Sequence, residues 1–299
     1  ASGGDLVKEA AARAAERGAS VFFVFEGRAD ADSIPVLSFN KKDSLAIPVI
    51  LLVPSVIKTI KNDSIGFHEM KLRCHMKPEK RTGNNVYAAI WNGADQTVVL
   101  GAHYDHLGYG EDKNSTYSGT EKLVHNGADD NASGTAALLE LAGMIKKGGL
   151  KKYNYLFVAF SGEELGLFGS KYFADNLPAE TGKVNYMINM DMLGRLNDSS
   201  RALTIGGYGT SPEWQRLLAG QGNHFRFVFD SSGTGPSDHT SFYKKDIPVL
   251  FFFTGLHHDY HKPSDDADKI NYEGEKDIVH LIYSIVSDAD RQEPLVFTK

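Results

Sequence analysis

The sequence predicts an α/β protein with a mixed, mostly parallel central sheet flanked by helices, and a small α/β module at its N-terminal end. Three observations carry this. Short apolar runs of strand length alternate with longer stretches of helix length. Asp, Glu and His side chains gather where several of those runs end, which is where open α/β sheets bind ligands. The segment 1–79 has apolar runs of its own but no such gathering, so it reads as a lid or packing module.

The 299 residues allow one large domain or two, and 41% hydrophobic with 23% charged residues suffices for a sizeable core. The formal net charge of −6 argues against a nucleic-acid partner and offers no basic face to a membrane. A single cysteine, Cys74, excludes an internal disulfide and a cysteine-ligated zinc site, and is expected to be a small buried apolar residue. No signal peptide or transmembrane run is visible. Because the chain opens in mid-pattern at Ala1-Ser2-Gly3-Gly4, the expectation is an exported protein in mature or trimmed form.

In chain order, Leu6 to Arg17 reads as a helix closed by Gly18. Val21–Phe25 and Ile47–Val53 read as strands separated by a polar loop containing Pro35, and Ser55 to Lys61 as a helix. Gly66 to Met76 reads as a connecting strand, and charge, Gly and Asn mark a domain boundary between Glu79 and Asn84. Asn84–Trp91 alternates into an Asn92-Gly93 turn. Thr97–Leu100 is an apolar strand leading to His103, with Asp105 two residues on, placed to accept the other imidazole N–H and orient the ring.

The stretch His125–Gly134 sets Asp129 and Asp130 between glycines, directly before a helix over 135–142 that Asn131 or Ser133 can cap. A carboxylate held in such a turn can present both oxygens outward, as a bridge between two metal ions requires. Lys152–Phe160 is a strand that runs into the pair Glu163-Glu164, followed by a helix from Leu167 to Asn176. Adjacent glutamates point in different directions, so one can bind metal while the other handles protons. Val184–Leu193 is a buried strand containing Asp191, whose charge needs either a cation such as Arg195 or a metal. Ala202–Ile205 is a strand and Pro212 to Gly220 a helix. Ile247–Phe253 is a strand that empties into a loop with His257, His258 and His261, and Asn271 to Arg291 closes the chain as an amphipathic helix. This oxygen and nitrogen ligand set suits zinc, with manganese or cobalt as alternatives. A Ser-His-Asp triad would compete, but no Gly-x-Ser-x-Gly elbow or phosphate loop is present.

Six segments occur in a telling order: GAHYDHLG, NGADDNASG, FSGEELGLFGS, NMDMLGR, SDHTSFY and DYHKPSDD. Together they resemble the co-catalytic di-zinc aminopeptidases, the family that also contains glutamate carboxypeptidase, glutaminyl cyclase and the transferrin receptor. The resemblance covers about residue 80 to the C-terminus. The segments RGASVFFVFE and IPVILLVPS resemble the second half of a protease-associated domain over roughly the first seventy positions. The resemblance implies a zinc-peptidase fold over 80–299 behind a protease-associated-like module over 1–79.

It also implies that His103 and Asp191 hold one zinc, Glu164 and His261 the other, and Asp130 bridges the two. Glu163 would be the general base, Asp105 the acid behind His103, and Tyr260 the donor to the oxyanion. A cis peptide would fall at Asp130-Asn131. His106, His239, His257 and His258 have no ligand counterpart and would support the site or lie in loops. The implied activity is a metallo-aminopeptidase with two zinc ions per chain, acting on peptides with a free N-terminus. A glutaminyl cyclase-type acyl transferase is the alternative on the same scaffold. A receptor that has lost its ligands is disfavoured, because every ligand type is present. Carboxypeptidase specificity is open, although no arginine cluster suited to acidic substrates stands near the motifs.

Overall fold

The computed structural model describes residues 3–25, 45–52, 55–57, 80–221 and 224–299. The chain divides into two compact units, Ala1–Glu79 and Lys80–Lys299. In the first, helix α1 (Gly3–Glu16) ends before Gly18, whose φ of +86° lies in the left-handed region. Strand β1 (Phe22–Val24) pairs in parallel with β2 (Val49–Leu51). The loop around Pro35, the strand expected over 66–76 and the expected burial of Cys74 lie outside the described residues. Of the helix expected over 55–61, residues 55–57 are described and helical.

The second unit is built on a seven-stranded sheet. Its strands are β3 (Val86–Ile90), β4 (Gln96–His103), β5 (Asn154–Phe160), β6 (Lys183–Met190), β7 (Ala202–Gly206), β8 (Arg226–Phe229) and β9 (Val249–Phe253). Their spatial order is β3-β5-β4-β6-β9-β7-β8. The four central strands β5, β4, β6 and β9 are parallel, β3 lies antiparallel on β5, and the parallel pair β7–β8 runs antiparallel to β9. The sheet is therefore mixed and mostly parallel. Strands such as β4 and β6 read as continuous apolar runs because both faces are covered.

On one face lie α2 (Gly134–Gly148), α4 (Glu213–Leu218) and α6 (Tyr272–Ala289), whose Leu138, Leu141, Trp214, Ile282 and Ile285 pack with Val98, Leu100, Tyr155 and Leu250. On the other lie α3 (Phe168–Asp175) and α5 (His239–Tyr243), whose Phe173 and Phe242 pack with Val99, Leu156, Val158 and Met187. Val98 and Val99 thus face opposite ways, as the strand period of two requires. In α6, Ile278, Leu281, Ile282, Ile285 and Val286 are all buried, each worth about 1.5–3 kcal/mol of transfer free energy. Asn271 caps this helix by accepting the Gly274 N–H.

Two short elements were not expected from the sequence. Strand β8 has only partial, irregular burial at the sheet edge, and α5 is a single turn formed by the SDHTSFY segment. The strand expected over 184–193 stops at Met190, since Met192 takes a left-handed φ of 56° and turns the chain out of the sheet. Among the described residues, no helix is long and apolar enough to cross a membrane. The parallel core sends the carboxyl ends of β4, β5, β6 and β9 to one edge, where their following loops converge.

Candidate metal centre and catalytic residues

His103 is the last residue of β4, buried, with both ring nitrogens committed. Nδ1 faces the Asp105 carbonyl oxygen at 3.0 Å. Nε2 lies 3.4 Å from Asp130 Oδ1 and 3.4 Å from Asp191 Oδ1. The other Asp191 oxygen accepts a hydrogen bond from Ser237 Oγ (2.7 Å), which itself accepts one from Asn189. Arg195 does not pair with Asp191; its guanidinium bonds Asp259 and Asp265. The carboxylate of Asp105 is also placed differently from expectation. It is turned toward the loop after β5 and accepts the amide N–H groups of Glu163 (3.1 Å) and Glu164 (3.3 Å), so its carbonyl oxygen, not its carboxylate, fixes the His103 tautomer.

On the other side of Asp130, His261 Nε2 lies 3.2 Å from Asp130 Oδ2 and 3.2 Å from Glu164 Oε2, with Nδ1 donating to the Asn114 carbonyl (2.8 Å). The two oxygens of Asp130 therefore face two different groups of donors. His106, whose role the sequence left open, places Nδ1 2.8 Å from Glu164 Oε1 and 4.0 Å from Asp130 Oδ2. Tyr260 stacks on the His261 ring, 3.8 Å between centroids, and Tyr260 and Glu163 line the same cavity as the five donors.

The turn that carries Asp130 is held from several directions. The peptide bond Asp130-Asn131 is cis. Gly127 has φ 62°, and a Cβ there would lie 2.7 Å from the His106 ring, so the turn needs glycine at that position. Asn131 Oδ1 accepts the Gly134 N–H at the start of α2 and the Met192 N–H beyond β6. Ser133 instead donates to the Asp129 carbonyl and accepts the Leu193 N–H. Asp129 points away from the donors and is bonded by Gly194 N–H (2.6 Å) and His257 (3.1 Å). Asp265, fully buried, accepts the N–H groups of both Asp129 (2.9 Å) and Asp130 (3.1 Å) on one oxygen and Arg195 (3.0 Å) on the other. Sequence reasoning missed the work of His106 and Asp265, although both stand inside quoted segments, GAHYDHLG and DYHKPSDD.

The electrostatics call for positive charge. Burial opposes charging His103, yet Asp191, Asp130 and Glu163 raise its pKa well above the ordinary value. Burial likewise opposes charging His261, and Asp130 and Glu164 overcome it to push the ring to about 10. Burial pushes Glu163 up to about 9, aided by Asp191, Asp238 and Glu164 and opposed by His103. So many half-buried acids in one place are costly without cations. The donor spacings of 3.2–3.4 Å match the edge of a zinc tetrahedron, about 3.3 Å for bonds near 2.0–2.1 Å. Two donor groups, His103/Asp130/Asp191 and His106/Asp130/Glu164, are compact enough to hold a metal ion, and they share Asp130. His261 belongs with the second by its own distances.

The profile of peptidase family M28 matches residues 85–286, more than half of the chain. Leupeptin-inactivating enzyme 1 of Streptomyces exfoliatus is 36% identical over 196 residues, covering 63% of this chain and 39% of that protein. Aminopeptidase YwaD of Bacillus subtilis is 29% identical over 220 residues, covering 66% of this chain and 42% of that protein. The chain thus spans about two fifths of the length of these relatives. The solved structure of BSAP, a zinc aminopeptidase from Bacillus subtilis, shares the fold with a TM-score of 0.61 at 22% identity, over 95% of this chain and 67% of that one.

Proposed function

The chain belongs to peptidase family M28, and from that premise we propose that it is a zinc-dependent aminopeptidase binding two zinc ions and releasing N-terminal residues from peptides with a free amino terminus. One observation carries the reading: Asp130 offers one oxygen to His103 and the other to His261, each with a further acid at ligand spacing. His103 and Asp191 would hold one ion, His261 and Glu164 the other, and Asp130 both. Ions bound there would lower the pKa of a water and polarise the scissile carbonyl.

The chain's own residues supply the rest. No protein hydrogen bond to the Glu163 carboxylate is present among the described residues, and it lines the substrate cavity; cations bound beside it would favour its ionised form against the burial that raises its pKa, leaving it able to act as base. It would take a proton from the attacking water at a carboxylate oxygen and deliver it to the departing amine nitrogen. Burial raises the Tyr260 pKa, which keeps its hydroxyl protonated and able to donate to the developing oxyanion. The acids of the cavity suit a protonated or coordinating α-amino group. Aminopeptidases among the named relatives favour hydrolysis over the glutaminyl cyclase alternative.

The test compares an aminoacyl 4-nitroanilide with its N-acetyl form, with chelator and zinc restoration as controls. Cleavage of the free-amino substrate alone is expected; equal cleavage of both would remove the aminopeptidase assignment, and pyroglutamate formation from an N-terminal Gln without hydrolysis would favour the cyclase. Glu163→Gln should lower turnover by roughly 10²–10⁴ while retaining the zinc of the parent, measured by metal analysis.

A further inference from the structure

The cavity holding the metal-centre acids continues outward. Its volume is about 270 Å³, and its far end is rimmed by the exposed residues Asp230 and Ser232. Part of the wall is a flat aromatic row. Phe251 and Phe253, two apart on β9, present rings 5.7 Å apart and 13° from parallel. His239 continues the stack on Phe251 at 4.6 Å and 8°. Leu256 adds to the lining from the loop after β9, and Thr204 and Thr234 are among its polar members.

The far end is rich in acceptors and poor in cations. One Asp230 oxygen accepts the Ser232 amide N–H at 2.9 Å, which leaves most of its acceptor capacity free. Among the described residues, no Lys or Arg lines the cavity. Burial pushes the His239 pKa down to about 4, so its ring adds no positive charge at neutral pH. The acids at the inner end face the metal centre, whereas Asp230 has no ion pair among the described residues and is left uncompensated.

We propose that this cavity receives the side chain of the substrate's N-terminal residue and that Asp230 selects a cationic one, arginine or lysine. The proposal rests on the aminopeptidase reading above. The chemistry matches along the whole length. The methylene stem of either side chain lies on the aromatic row. A guanidinium can stack on an aromatic face of the Phe251–Phe253 row. The cationic end meets Asp230 in a charge-assisted hydrogen bond. A leucine side chain fits the aromatic row but leaves Asp230 to water at the open rim, so it is accepted without reward. A glutamate side chain meets like charge and no cation.

The zinc-loaded full chain would be assayed on arginyl, lysyl, leucyl and glutamyl 4-nitroanilides, as wild type, Asp230→Asn and Asp230→Glu, with melting temperature and zinc content matched. Arginyl and lysyl substrates are expected to have the highest kcat/KM and glutamyl the lowest. Asp230→Asn should reduce the arginyl-to-leucyl ratio roughly two- to fivefold, chiefly through KM, as for a lost ion pair at a solvent-exposed rim. Asp230→Glu should recover part of it. Calorimetric binding of argininamide and leucinamide to the same proteins reads the pocket without turnover. Leucyl cleavage with an arginyl-to-leucyl ratio unmoved by Asp230→Asn would overturn the role of Asp230 and leave the aminopeptidase intact. Absence of cleavage with argininamide binding that depends on Asp230 would overturn the activity and leave the pocket. Absence of both would remove the two together.

Discussion

Glu164 is held at one oxygen and left open at the other. His106 Nδ1 approaches Oε1 at 2.8 Å, while Oε2 faces His261. Among the described residues the buried His106 Nε2 has no partner, so the ring carries its hydrogen on Nδ1 and donates it to Glu164. Supports of this kind typically change metal affinity 10–100-fold. His106→Ala is therefore expected to weaken zinc binding by about that factor, while His106→Asn, which can still donate near the Nδ1 position, loses less. Zinc titration calorimetry reads both, and an unchanged zinc titration in the alanine variant would remove His106 from the site. Asp265 acts on the backbone. Its removal leaves the Asp129 and Asp130 amides unsatisfied and Arg195 with Asp259 alone. Asp265→Ala should cost about 3 kcal/mol or more in denaturant unfolding, the scale for breaking one member of a buried ionic pair.

Among the elements, the turn 127–134 and helix α6 set the limits. The turn is strung between α2 and the end of β6 by Asn131, and Gly134 sits where the two meet. A Cβ at Gly134 would fall 2.4 Å from Asn131 Oδ1 and 2.5 Å from the Met190 carbonyl, both fixed groups. Gly134→Ala is expected to lower stability by about 1–3 kcal/mol and to reduce zinc content, because the shift passes directly to Asp130. Thermal melting with metal analysis checks it. Glu275 sits in the first turn of α6 beside Ala132, Ala136 and Val279, nearly buried, in a groove of about 550 Å³. Burial, with repulsion from Asp129, pushes its pKa up to about 7. The folded value lies above the unfolded one, near 4.5. The native state therefore holds this proton more tightly, and stability falls as pH rises from about 4.5 through 7. Glu275→Gln should melt higher than the parent at pH 8 and show no advantage at pH 4; a difference independent of pH would contradict the assignment.

At the scale of the whole molecule, metal binding and folding are linked. The donors come from β4, the turn before α2 and the loops after β5, β6 and β9, so only the folded chain assembles them. Zinc at about a hundred times its dissociation constant should add about 2.7 kcal/mol of stability, read as a higher melting temperature than in chelator. Deletion of the module 1–79, whose described residues supply no donor to the centre, should leave zinc content unchanged, read by metal analysis. The sequence by itself determined the α/β class, the buried strands, α6 and the segments that carry the chemistry. It could do so because apolar runs follow the period of the element that buries them, and because an acid inside such a run, as at Asp191, calls for a compensating partner. It did not reveal β8, which lacks a regular buried face, or the helical turn α5. Nor did it reveal that Asp105 serves Glu163 and Glu164 by its carboxylate and His103 by its carbonyl, that Arg195 pairs away from Asp191, or that His106 and Asp265 brace the centre. Those choices were made only by the tertiary structure. Which of several nearby partners a polar side chain takes depends on distances of a few ångströms between loops far apart in sequence, set by the packing of the strands beneath them and not by spacing along the chain.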